Sequence, residues 1–284
     1  MKQSAKLYCT ALGLIFSSSA WALAGCHVPA DVVAGQELFE TFKAPLNECV
    51  WTKVQSNWGG LTATGDYSGG VLLDNIQEGT WPLVLHAYGN RYNGPIRGLN
   101  SDDSVRPDGR RTGAAIMTRQ RFLGGRFEVR ATVPDALGVV SAFWTYNNFT
   151  TRDGVEHNHE IDIEFPGRPR TNAPPSLKYV MLTTWTGLKD GQSTSALERL
   201  PASVTDGKYH VLRFDWLPPS DGGAGYVKFF IDGALLTTTT TNVPSEPGNV
   251  WLGLWFPPEW AGTPDFDSVE MKVDWVRISP LQAP

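Results

Sequence analysis

Cysteine and histidine are scarce, three and five residues in a chain of 284, and no short segment gathers them at the spacing of a zinc centre. Charge is thin as well: 19% of residues are charged, the net charge is -5 and the pI is near 5.6. Phosphate recognition needs clustered Lys and Arg, so nucleic acid is excluded as the main partner. Beyond the N-terminus no apolar run is long enough to span a bilayer. No stretch of about a dozen residues repeats apolar positions every three or four residues either, which excludes long amphipathic helices.

Present instead are 29 glycines, 20 prolines and 11 tryptophans in a chain that is 41% hydrophobic. This suits many strands, tight turns and an aromatic-lined surface. Short runs of period two dominate. "GRFEVRATV" sets Phe127, Val129, Ala131 and Val133 against Arg126, Glu128, Arg130 and Thr132, and "YHVLRFDW" puts Leu212, Phe214 and Trp216 on one face. In "YVKFFIDGALL", Asp232-Gly233 divides two apolar runs and marks a hairpin. Strands so spaced predict an all-β antiparallel sandwich, a jelly roll with one concave sheet, connected by loops such as "SNWGG" and "NRYNG". Length and composition fit one domain without internal repeats.

The N-terminus reads as an export signal: Lys2 and Lys6, an apolar run from Leu7 to Phe16, then small residues through Ala24. Residues 1–25 are assigned to it and 26–284 to the folded domain. Two processing readings remain open. Ala22 and Ala24 suit ordinary cleavage before Gly25, whereas "LAGC" at Leu23–Cys26 resembles a lipoprotein signal that would acylate Cys26. Removal of Cys9 leaves Cys26 and Cys49 as a disulfide pair in an oxidising compartment, unless a lipid takes Cys26. The expected location is periplasmic or secreted, or the outer membrane for the lipidated form, and the expected state is a monomer.

The chemistry concentrates in "HNHEIDIEF", His157–Phe165. Period two places Ile161, Ile163 and Phe165 on one face and Glu160, Asp162 and Glu164 on the other. Like charges in a row repel, and no Lys or Arg alternates with them. Two carboxylates across a sugar groove are the machinery for cutting a glycosidic bond, one attacking and one supplying a proton. An ideal strand puts the Glu160 and Glu164 Cα atoms about 13 Å apart, so curvature and long side chains have to bring the carboxyls together. Asp162, between them, can share a proton with Glu160. His157 and His159 are read as loop or core residues.

Glu160-Ile161-Asp162-Ile163-Glu164 resembles the E-x-D-x-E signature of glycoside hydrolase family 16. "GGRFEVRATVPDALGVVSAFWTYNN", "GNVWLGLWFPPEWAG" and "MKVDWVRI" resemble further strands of that family, and the likeness runs from about Leu38 to Ile278. The single residue between Asp162 and Glu164 resembles the lichenase branch, whose strand is regular, and "GVVSAFWTY" leans to bacterial lichenases and related exopolysaccharide glycanases. The resemblance implies a concanavalin A-like jelly roll and retaining hydrolysis of β-1,3/1,4-type bonds in a glucan or glucose-containing polysaccharide. It gives Glu160 as nucleophile, Asp162 as its helper and Glu164 as acid/base. Ala115, Met117, Thr183 and Trp185 depart from the lichenase pattern of sugar contacts. Trp144, Trp185, Trp255 and Trp260 are candidates to stack on sugar rings, with Trp51, Trp216 and Trp275 read as sandwich packing. No cofactor is required by this chemistry. A structural calcium is implied only by the resemblance of Asp274 to a family ligand. A transglycosylase, or a carbohydrate-binding jelly roll without catalysis, are the alternatives.

Overall fold

A computed structural model describes residues 37–281, apart from 59–68, 101, 103, 169–171, 221–222 and 258–259. The export signal, its cleavage site and Cys26 lie outside the described residues. The strands are β1 (Leu38–Glu40), β2 (Trp51–Lys53), β3 (Ile76–Gln77), β4 (Leu83–Tyr88), β5 (Gly98–Leu99), β6 (Val105–Arg106), β7 (Ala114–Phe122), β8 (Gly125–Ala131) and β9 (Val140–Thr150). They continue as β10 (Glu156–Phe165), β11 (Tyr179–Trp185), β12 (Ser193–Arg199), β13 (His210–Leu217), β14 (Tyr226–Ile231), β15 (Ala234–Thr239), β16 (Gly248–Trp255) and β17 (Ser268–Ser279).

Two antiparallel sheets make a sandwich. The eight-stranded sheet runs β15-β14-β13-β8-β17-β4-β3, with β1 also on β17; the seven-stranded sheet runs β12-β11-β10-β9-β16-β7-β2. Alternation along the strands supplies the interior. Phe127, Val129 and Ala131 of β8 and Phe214 and Trp216 of β13 face Phe143 of β9, Ile161, Ile163 and Phe165 of β10 and Leu252 and Leu254 of β16, all buried. Removing this much apolar surface from water is what holds the sheets together, at roughly 25 cal/mol per Å². The Asp232-Gly233 hairpin forms as expected, both residues taking positive φ (50° and 81°) between β14 and β15. Trp51 and Trp216 are buried as the sequence suggests.

Trp275 is not. A register shift between Val273 and Trp275 turns β17 over, and Trp275 packs outside the sandwich against Phe39, with the Arg277 guanidinium near both rings. Simple alternation cannot foresee such a bulge.

Candidate active site

β10 is an interior strand of its sheet. It pairs with β9 from Glu156 to Phe165 and with β11 from Glu160 to Glu164, with no register shift in either ladder. The regular pleat therefore carries Asn158, Glu160, Asp162 and Glu164 on one face while Ile161, Ile163 and Phe165 fill the core. The spacing-based expectation of an unbulged strand holds.

That face floors a groove made of two cavities. One, of about 710 Å³, is walled by the three carboxylates, Met181, Thr183 and Trp185 of β11, Ser195 and Leu197 of β12, and Arg168, Trp255 and Trp260. The other, of about 380 Å³, is walled by Val54, Ser56, Trp58, Trp144, Tyr146 and Trp251. Glu160 and Trp255 belong to both, so Glu160 sits where they meet.

The carboxylates occupy different environments. Burial raises Glu160, and hydrogen bonds from Asn158 and Asp162 oppose the rise. The Asn158 amide Nδ2 donates to Glu160 Oε2 at 2.6 Å. Asp162 is pushed well above the usual carboxylate range, first by burial and then by the charges of Glu160 and Glu164. The Trp185 indole Nε1 donates to Asp162 Oδ2 at 2.9 Å and pulls the other way. Glu164 is lifted to about 8, by burial first and by the Glu160 charge second. At neutral pH the row thus holds two proton-bearing carboxyls around a hydrogen-bonded one, a division suited to one nucleophile and one acid.

The four candidate tryptophans differ in what they offer. Trp260 lines the larger cavity. Trp255 lines both cavities, but one face is covered by Trp58, stacked on it at 5.3 Å and 6°. Trp144 is only 4% exposed and stacks on Trp251 at 5.5 Å, so it is a packed wall. Trp185 borders the larger cavity with its indole N–H committed to Asp162. Sequence reading missed Trp58, Tyr146, Trp251 and Asn158. Trp251 stands on the Trp255 face of β16 by period two, a signal that was legible; Trp58 lies in a loop and carries none. Of the departures, Thr183 is buried and bonded to Ser195 at 3.1 Å, Ala115 is buried, and Met117 pairs with Trp251 across β7 and β16. His159 packs inside, its Nδ1 accepting the Ser245 N–H at 3.2 Å, and stacks with His157 on Phe149.

Asp274 is far better matched to protein donors than to calcium. Its Oδ1 accepts the Trp81 indole N–H at 2.8 Å and its Oδ2 pairs with the Arg130 guanidinium. A Ca²⁺ ion wants six to eight oxygens, and an Arg in contact already supplies the positive charge, so these residues do not fit the ion. Among the described residues no group of three or more His, Cys, Asp or Glu gathers into a metal site. Cys49 is disulfide-bonded, with its partner outside the described residues. No helix among the described residues is long and apolar enough to cross a membrane.

Comparison with known proteins places this geometry. The model of glycosyl hydrolases family 16 matches residues 85–277. A beta-glucanase of Paenibacillus polymyxa is 31% identical over 162 residues, 55% of this chain and 59% of that protein. The beta-glucanase of Bacillus subtilis (strain 168) is 31% identical over 164 residues, 56% and 60% respectively. The chain thus spans about three fifths of the length of the curated relatives it matches. Among solved structures, a prokaryotic beta-1,3-1,4-glucanase (lichenase) from a mouse hindgut metagenome superposes with a TM-score of 0.63 at 22% identity, over 86% of this chain and 99% of that one. The laminarinase catalytic domain of Thermotoga maritima MSB8 gives 0.65 at 18% identity, over 88% and 100%. Both share the sandwich.

Proposed function

Since the chain belongs to glycosyl hydrolases family 16, we propose that it cuts internal β-1,3/1,4-type bonds of a glucan or glucose-containing polysaccharide, retaining configuration at the anomeric carbon. The observation that carries this reading is the divided acidic row on the groove floor, with Glu160 held by donors and Glu164 lifted to about 8. The Glu160 carboxylate attacks the anomeric carbon while Glu164 gives its proton to the departing sugar oxygen. The bond to that oxygen breaks and a glycosyl ester forms on Glu160. Glu164, now ionised, takes a proton from water, whose oxygen displaces Glu160 and releases the sugar.

The groove supports a polymer over a small sugar, because Glu160 lies at the meeting point of two cavities and substrate can extend to either side. Export is part of the reading: a disulfide at Cys49 suits an oxidising compartment.

The test is release of reducing ends from mixed-linkage barley β-glucan, run beside Glu160→Gln, with the anomer of the first product read by NMR. Release of the β-anomer, abolished by the substitution, is expected. Release unaffected by the substitution overturns the assignment of the nucleophile, and an α-anomer overturns retention.

A further inference from the structure

Asp162 is held from two sides. Its Oδ2 accepts the Trp185 indole N–H at 2.9 Å, and it shares a hydrogen bond with Glu160. An indole nitrogen donates and never accepts, so the oxygen it faces must keep its lone pair free of a proton. A proton on Asp162 is thereby steered to the other oxygen, and the bond to Glu160 runs from acid to carboxylate.

Asn158 completes the chain by the same logic. Only the NH₂ end of an amide can face a carboxylate oxygen. Asn158 turns that end to Glu160 Oε2 even though its own Oδ1 is left buried without a partner. Glu160 therefore accepts from both neighbours on its face of β10.

We propose that Trp185 is a positioning residue: its indole N–H fixes which oxygen of Asp162 carries the proton, and so keeps Glu160 ionised and aimed for attack. The consequence for catalysis rests on the hydrolase reading; the geometry does not. Trp185 reaches the row because it is the direct partner of Glu160 across β10 and β11, while its ring still borders the larger cavity. The other titratable or charged groups facing this pair are Glu164 on β10, Tyr146 opposite Glu160 on β9, and Arg168 in the wall of the same cavity; β11 and β16 present only Met181, Thr183, Trp251 and Trp255 to the groove.

Two measurements test this. In the ¹H–¹⁵N spectrum of the intact protein, the Trp185 indole resonance is identified as the one missing from Trp185→Phe and followed from about pH 4 to 9. It should move in a step whose midpoint matches the acid limb of kcat/KM on β-glucan; a resonance that does not move overturns the proposal. Trp185→Phe keeps a ring against the sugar and removes only the donor. Its KM should stay within about threefold, its kcat should fall at least about tenfold, and its acid limb should rise by about one pH unit. An unchanged kcat and limb overturn the proposal. A titrating indole in a protein that releases nothing from any β-glucan would sink the hydrolase reading and leave the proton geometry standing.

Discussion

The two sheets treat their carboxylates in opposite ways. On the eight-stranded sheet Asp215 accepts Nε of Arg213 at 2.8 Å and of Arg126 at 3.1 Å. Burial works upward on it, yet the two guanidiniums win and hold it below the usual range. His210, on the same strand, stands between Asp232 at 2.7 Å and Asp206 at 3.0 Å, and those bonds outweigh burial and raise it. On the seven-stranded sheet Glu160, Asp162 and Glu164 all rise. Their bonded neighbours are an amide, an indole and one another. Strand alternation is the same on both sheets. What separates a structural carboxylate from a reactive one is the partner set across the strand, and a row left without cationic bonds can hold protons at neutral pH.

The largest effect comes from removing the charge the groove sheet is built around. Glu160→Gln should lower kcat by about 10⁴-fold or more with glucan binding retained, measured by reducing-end release and by isothermal titration. Giving the groove a partner of the outer-sheet kind comes next. Met181 is paired with Glu164 across β10 and β11 and lines the same cavity. Met181→Lys should pull Glu164 down by about one to three units, moving the alkaline limb of the pH–rate profile from near 8 towards neutrality; a limb that stays in place removes Glu164 as the acid.

Stability carries the same contrast. The folded value of Glu164, about 8, lies above the ordinary 4.5, so its contribution is complete below the ordinary value and lost as pH rises through 8. The Tm of Glu164→Gln should therefore exceed that of the native protein by a margin that widens between those limits. Asp215 has the opposite sign. Its depressed value means stability present at neutral pH and lost as pH falls below the ordinary range, so Asp215→Asn should cost about 1–3 kcal/mol at pH 7. That deficit should vanish in acid, with kcat untouched. The smallest expected effect is that of a chelator: with Arg130 paired to Asp274, EDTA should leave Tm unchanged, and a drop would restore calcium.

The sheet interior, the hairpin at Asp232-Gly233 and the acidic row were legible because each is a local pattern, period two or a pair of turn residues. The roles of Trp185 and Asn158 were not, for different reasons. Period two says which face Trp185 takes but not its register; meeting Glu160 depends on the connection between β10 and β11, whose length sets where the ladder starts. Asn158 is on the legible face, yet its bond to Glu160 follows from two neighbouring side chains choosing rotamers in a crowded groove. Trp58 comes from a loop and stacks on a strand about two hundred residues later, a contact only tertiary packing can specify. Trp275 failed through the β17 bulge.

β10 is hydrogen-bonded along both edges through the acidic stretch. Backbone amides in that position exchange with solvent only when the sheet itself opens, whereas loops and sheet margins open at far lower cost. The nucleophile, its helper and the acid are thus anchored in a region expected to be among the last to loosen on heating. Loss of the carboxylate geometry should coincide with global unfolding, so a protein warmed just short of that point and cooled again should return with its full set of working sites.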